Sequence, residues 1–90
     1  MTEMEILLKF VPGQIIGHSL FNVASRWRIT MLSYGEDADR LYRIHSQPVR
    51  LFGTDRVSVR NCNICGQEGC SVFRQLDMVI LYDEEGNTYG

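Results

Sequence analysis

Apolar and polar residues alternate over positions 4–10. Met4, Ile6, Leu8 and Phe10 would share one face of a strand, with Glu5 and Lys9 on the other. Val11, Pro12, Gly13 and Gln14 suit a type II turn, with Pro at the second position and Gly at the third. Ile15 and Ile16 then open a short return strand that ends before Gly17. Between positions 19 and 34 the period changes. At 100° per residue, Leu20, Val23, Ala24, Trp27, Met31 and Tyr34 gather on one side, with Ser19 placed as a helix cap and Gly35 as a stop. Residues 27–33 also alternate like a strand that could turn through positions 35–39 into residues 40–44. The pattern favours a helix for the first half of this segment.

The C-terminal half reads as strands. Residues 49–52 follow a proline. Residues 56–60 place Val57 and Val59 inward and Arg56, Ser58 and Arg60 outward. Residues 76–82 form the strongest strand, and apolar side chains on both faces predict a central position in a sheet. Positions 83–87 make a turn, followed by a short tail. The expected fold class is α+β: a single compact domain over residues 1–90, mostly antiparallel sheet, with one helix beginning near Ser19. Trp27 is expected to be buried with Leu20, Ile6 and Ile80.

A chain of 90 residues buries a modest core, and domains of this size are often stapled by a disulfide or a metal. The apolar share of 44% suits a folded domain, and no apolar run approaches the roughly 20 residues that span a bilayer. The first residues carry acids where a targeting segment would carry bases, which predicts a cytoplasmic, reducing setting and no membrane partner. In that setting clustered cysteines favour metal or catalysis over a disulfide, and an odd number cannot all pair within one chain.

The three cysteines of the chain, Cys62, Cys65 and Cys70, fall within nine residues. The two-residue spacer between Cys62 and Cys65 lets both thiolates face one ion. Gly66 can take a positive φ and turn backbone N–H groups toward sulfur. Cys70 supplies a third corner of a tetrahedron. The spacing resembles the first three ligands of a nucleocapsid-type zinc knuckle over these nine residues. Cys70 stands where that pattern has His, and Gln75 falls where its next ligand would be. The expected cofactor is structural zinc in a metal-knuckle loop at a hairpin tip. The fourth ligand is sought among His45, His18, Asp77, a water and a thiolate from a second chain, with His45 first. An iron–sulfur centre usually takes four thiolates, and three are present.

Catalysis has little to stand on. Neither His is followed by the x-Glu of a zinc deaminase. A glycine-rich, acid-containing loop follows the C-x-x-C pair, where a redox site would place a helix N-terminus. A Cys–His nucleophile pair would be the remaining enzymatic option, and nothing in the sequence orients one. No phosphate-binding glycine loop is present.

Charge then points to binding. The net charge is −2, yet eight of the nine basic residues are arginines, all between Arg26 and Arg74, where only five acids lie. Residues 75–90 carry four acids and no base. Arg26, Arg28, Arg50, Arg56 and Arg60 could form a cationic face, with Tyr42, Phe52 and Phe73 as aromatic neighbours. Such a face suits a protein partner with an acidic surface, in an adaptor or inhibitor, and it suits single-stranded nucleic acid as the alternative. The acidic C-terminal segment favours the protein partner.

Overall fold

The computed structural model describes residues 2–21, 23–34, 42–50 and 62–88. They form an α+β domain built on a five-stranded antiparallel sheet with one short helix and a His/Cys cluster. The helix lies where the alternation of positions 4–10 suggests a strand. Helix α1 spans Glu3–Lys9, and Thr2 caps it by accepting a hydrogen bond from the Glu5 amide at 3.3 Å. The adjacent pair Leu7 and Leu8 breaks the two-residue alternation. Ile6 and Phe10, one helical turn apart, are the two side chains of this segment that reach the core. The turn at 11–14 forms as expected, with Gly13 at φ 95° and the Gln14 amide donating to the Val11 carbonyl at 3.1 Å.

Strand β1 spans Ile15–His18, β2 Arg26–Tyr34, β3 Tyr42–Arg50, β4 Ser71–Phe73 and β5 Val79–Tyr82. The order across the sheet is β4-β3-β2-β1-β5. The helix expected from Ser19 does not form. Residues 19–24 are turns or bends where described, and Leu20 and Val23 are 66% and 86% exposed. The strand reading of residues 27–33 is the one realised. Trp27 and Ile29 enter the core while Arg26, Arg28 and Thr30 stay half-buried, so a pleated surface pairing with β3 overrides the helical period. Trp27 is buried in one core with Ile6, as expected, whereas Leu20 and Ile80 are not part of that core.

The strand expected at 76–82 is shorter and lies at an edge of the sheet rather than its centre. Leu76–Met78 form a 3-10 turn before β5, which pairs with β1. Its two faces are both apolar because both are covered. Val79 and Leu81 pack against the core, and Tyr82 lies under the Arg26 guanidinium, 3.5 Å from the ring centroid. Gly17 makes room for that ring, since a Cβ there would meet Tyr82 Cε2 at 2.8 Å. The turn at 83–87 forms around Gly86 at φ 87°, with Asp83 Oδ1 accepting from the Glu85 and Asn87 amides at 2.9 Å. Thr88 then bridges back to Tyr82.

Strands β4 and β5 sit at opposite edges yet are joined by residues 74–78 alone. Crossing four inter-strand gaps of about 4.8 Å would take nearly all the reach of so short a link. The sheet therefore curls over its buried face. The His18 ring on β1 and the Phe73 ring on β4 stack across the trough at 5.2 Å. The core comprises Ile6, Phe10, Ile16, Trp27, Ile29, Tyr42, Ile44 and Phe73. No described helix is long and apolar enough to cross a membrane. The strand expected at 56–60, and hence the hairpin with the cysteine loop at its tip, lies outside the described residues; of the strand expected at 49–52, positions 49 and 50 close β3 and positions 51 and 52 lie outside the described residues.

Candidate metal centre

The site is assembled on the face of β3 away from the core. Ile44 pairs with Phe73 and is fully buried among the core residues, so its neighbour His45 points through the other side of the sheet. His45 is nevertheless 0% exposed. The cysteine loop accounts for that: Cys62 Sγ and Cys70 Sγ lie 3.4 and 3.5 Å from His45 Nδ1.

The loop is shaped by its own backbone. The Cys62 amide donates to the Gln67 carbonyl at 3.0 Å, and the Gly66 amide returns to the Cys62 carbonyl at 2.9 Å. Gly66 and Gly69 both take φ 73°, a conformation costly for residues with a Cβ. Ser71 then starts β4, where its carbonyl accepts from the Ser46 hydroxyl at 3.1 Å. The loop is thereby tied to the strand that carries His45.

One atom from each of His45, Cys62, Cys65 and Cys70 lies within 4.8 Å of all the others. All three cysteines are free thiols. Standard zinc bond lengths in a tetrahedron put N and S about 3.6 Å apart and two sulfurs about 3.8 Å apart. The His45–sulfur separations match that value. The donor set of three thiols and one imidazole can hold a soft or borderline divalent ion.

The protonation chemistry suits the same use. Backbone N–H groups of Cys65 and Ile64 directed at its sulfur pull the Cys62 thiol down to about 7. Burial, reinforced by a hydrogen bond with Cys65, pushes Cys70 up to about 12. Ion uptake must therefore displace a proton from Cys70 at neutral pH. Burial, and then the charge of Arg43, holds His45 below its usual value, so its imidazole is neutral and able to ligate.

Two hydroxyls of β2 hold His45 in place, and the sequence reading missed both. Ser33 Oγ lies 2.6 Å from His45 Nε2. With the ring proton on Nε2 donated to Ser33, the Nδ1 lone pair is left for the ion. Thr30 sits in a bulge, since Ile29 pairs with Ser46 and Met31 with His45. Its hydroxyl donates to the His45 carbonyl at 3.1 Å. Bulges recur where a side chain must be re-aimed. The available signal was the two hydroxyls of Thr30 and Ser33 set among Ile29, Met31 and Leu32. Ser33→Ala is expected to lower the affinity of the cluster for a divalent metal ion about 10- to 100-fold, measured by chelator competition. The cobalt-loaded variant should keep its thiolate charge-transfer bands, because the four ligands remain.

The other candidate residues stand apart from this cluster. His18 accepts from the Leu20 amide at Nδ1, 3.2 Å, and its ring lies against Phe21 and Phe73. Asp77 is exposed in the 3-10 turn. Arg26 and Arg28 share a face of β2, and Arg50 is the register partner of Arg26. The charge pattern of the sequence leaves Arg28 short of a nearby acid, but the fold supplies one. Arg28 pairs with Glu84 at 3.1 Å and donates to the Gly13 carbonyl at 2.9 Å. Arg26 is held by Tyr82 and by the Ser25 carbonyl at 2.8 Å. Tyr42 and Phe73, expected beside an arginine face, are buried in the core. Arg56, Arg60 and Phe52 lie outside the described residues. Compared with protein-family models, curated proteins and solved structures, the chain matches none.

Proposed function

We propose that this chain is a small non-enzymatic protein-interaction module, of the adaptor or inhibitor kind, whose fold is pinned by zinc at Cys62, Cys65, Cys70 and His45. The carrying observation is the approach of His45 Nδ1 to two of three clustered thiols at tetrahedral zinc spacing. Four protein ligands close the coordination sphere. A catalytic zinc keeps a position open for water or substrate, so this site suits structure rather than catalysis. Clustered thiols of this kind persist in a reducing, cytoplasmic setting.

The surface around Arg26 and Arg28 supports a protein partner over nucleic acid. Glu84 engages Arg28, and Glu85 is exposed next to it, so the face carries both charges. A polyanion backbone would meet repulsion there, whereas a mixed-charge protein surface would not. The partner is expected to present acids to Arg26, Arg50, Arg56 and Arg60.

Metal analysis of reduced protein purified without chelator should find one zinc per chain. Cobalt substitution should give the intense visible bands of a tetrahedral thiolate site. No metal retained even after incubation with excess zinc would overturn the zinc reading. Binding to a single-stranded oligonucleotide at low salt that weakens steeply as salt rises would overturn the preference for a protein partner.

A further inference from the structure

His18 is a histidine that the metal centre leaves unused. It is 8% exposed, and its Nδ1 accepts from the Leu20 amide at 3.2 Å. In the neutral ring that contact fixes the proton on Nε2. The Nε2–H meets no hydrogen-bond acceptor among the described residues. It is not sealed either, since Gln67 Oε1 is the one unpartnered side-chain atom shut off from solvent among them. A buried ring thus keeps one unpaired donor that faces outward.

His18 lines a cleft of about 390 Å³, near the lower end of the range for ligand sites. Its ring packs against Phe21 and Phe73, which line the same cleft with Leu20 and Val72. Leu20, Phe21 and Val72 are 66%, 53% and 39% exposed. Single exposed apolar side chains are ordinary, but three around one recess mark a contact site. Arg74 brings the charge of the lining, and no acid is part of it. Arg74 makes no ion pair or hydrogen bond with a described residue.

We propose that this cleft receives an aromatic side chain of a protein partner, flanked in the partner's sequence by carboxylates. The apolar lining selects the anchor. The two unpaired donors, Arg74 and the His18 Nε2–H, select the sign of its neighbours. The shape favours a chain segment over a small molecule. A small ligand is held with most of its surface enclosed, whereas this recess is rimmed by side chains that are themselves half exposed. Residues on either side of the anchor would cover that rim and exclude water from it. The inference rests on the interaction-module reading above and adds a docking site that Arg26 and Arg28 do not line.

The probe is the capped peptide acetyl-Gly-Asp-Phe-Glu-Gly-amide, titrated into the full zinc-loaded chain and followed by two-dimensional NMR. Amide shifts should gather at residues 18–21 and 72–75. The Trp27 indole should respond too, through the Phe21 and Phe73 rings 5.5 and 5.0 Å from it. So short a peptide must order its own chain on binding, and its Kd should be on the order of 1 mM. Replacing its acids by Asn and Gln should weaken it about threefold or more. Arg74→Gln should narrow that difference to below about twofold. Leu20→Ala should weaken both peptides alike. Both substituted side chains are exposed, so the variants are expected to fold, and their zinc content reports whether they do.

No saturable shift at the cleft overturns the proposal, and so does an acidic peptide that binds no better than its amide counterpart. Phenylacetate bound more tightly than the peptide would make the cleft a small-molecule site and overturn it equally. A chain that holds one zinc and ignores both the peptide and a single-stranded oligonucleotide loses this cleft and keeps the module reading. A chain that takes the oligonucleotide at the cleft loses both.

Discussion

Chelating the metal from reduced protein is expected to abolish its cooperative thermal transition or lower its Tm by roughly 20 °C or more. The described core contains eight buried apolar side chains. A domain this small gains only a few kcal/mol from such a core, whereas a structural zinc site of the kind proposed binds its ion with about 10 kcal/mol or more, and the share of that gained only on closure to His45 stabilises the fold. An ion bound there would also draw the four groups together. Three sulfurs converge on a fully buried imidazole, with the Cys62 thiol drawn down to about 7 and the Cys70 thiol pushed up to about 12. Fluorescence of Trp27, the chain's one tryptophan, should shift to the red as the metal leaves and return when zinc is added back. His45→Ala should act in the same direction, because three thiolates remain but the tie to β3 is lost. An unchanged melting curve after complete metal removal would show that the cluster does not carry the fold.

Phe73→Ala is expected to cost about 3–5 kcal/mol, most of the stability such a domain possesses. The Phe73 ring lies 5.0 Å from Trp27, 5.2 Å from His18 and 6.0 Å from Phe21. It is the residue through which the three-residue strand β4 is anchored under the curled sheet. Truncation leaves a void beneath Trp27 that these rings cannot fill without shifting. Because β4 begins directly after Cys70, a loosened strand also loosens the cysteine loop, and zinc affinity should fall with stability. A urea titration followed by Trp27 fluorescence reads the first effect, and chelator competition reads the second. A loss below about 1 kcal/mol would mean that the ring is dispensable to the core.

What could be read from the sequence was what local chemistry decides. Pro12 with Gly13, and Asp83 with Gly86, dictate their turns within four or five residues, and both turns form. The cysteine cluster was legible for the same reason, since three of the four residues that converge at the site are neighbours in the chain. Helix α1 was misread because positions 4, 6, 8 and 10 alternate by chance around Leu7. The Thr2 cap and the Ile6–Phe10 pair decide the matter only when a core exists to receive them. Sequence alone ranks His45 first among several candidate ligands without fixing it at the site. Its place depends on the β2–β3 register and on the bulge at Thr30, and no local pattern encodes either. The pairing of Arg28 with Glu84 joins residues 56 positions apart, so the apparent surplus of arginine could not be corrected from the sequence.

The division of the ligands into a local trio and one distant imidazole has a consequence for loading. On the proposed zinc reading, an unfolded chain would already carry Cys62, Cys65 and Cys70 close enough to capture the ion. Only the closure to His45, 17 residues before Cys62, requires β3 to be in place. If the cluster holds zinc as proposed, part of that affinity would be shared by folded and unfolded chains and cancel from the folding equilibrium. Raising free zinc beyond saturation should stabilise the protein less than mass action predicts for a site found only in the native state. A nascent chain could likewise take up its ion before its sheet is complete, so that the last strand contact made is also the last bond to the metal.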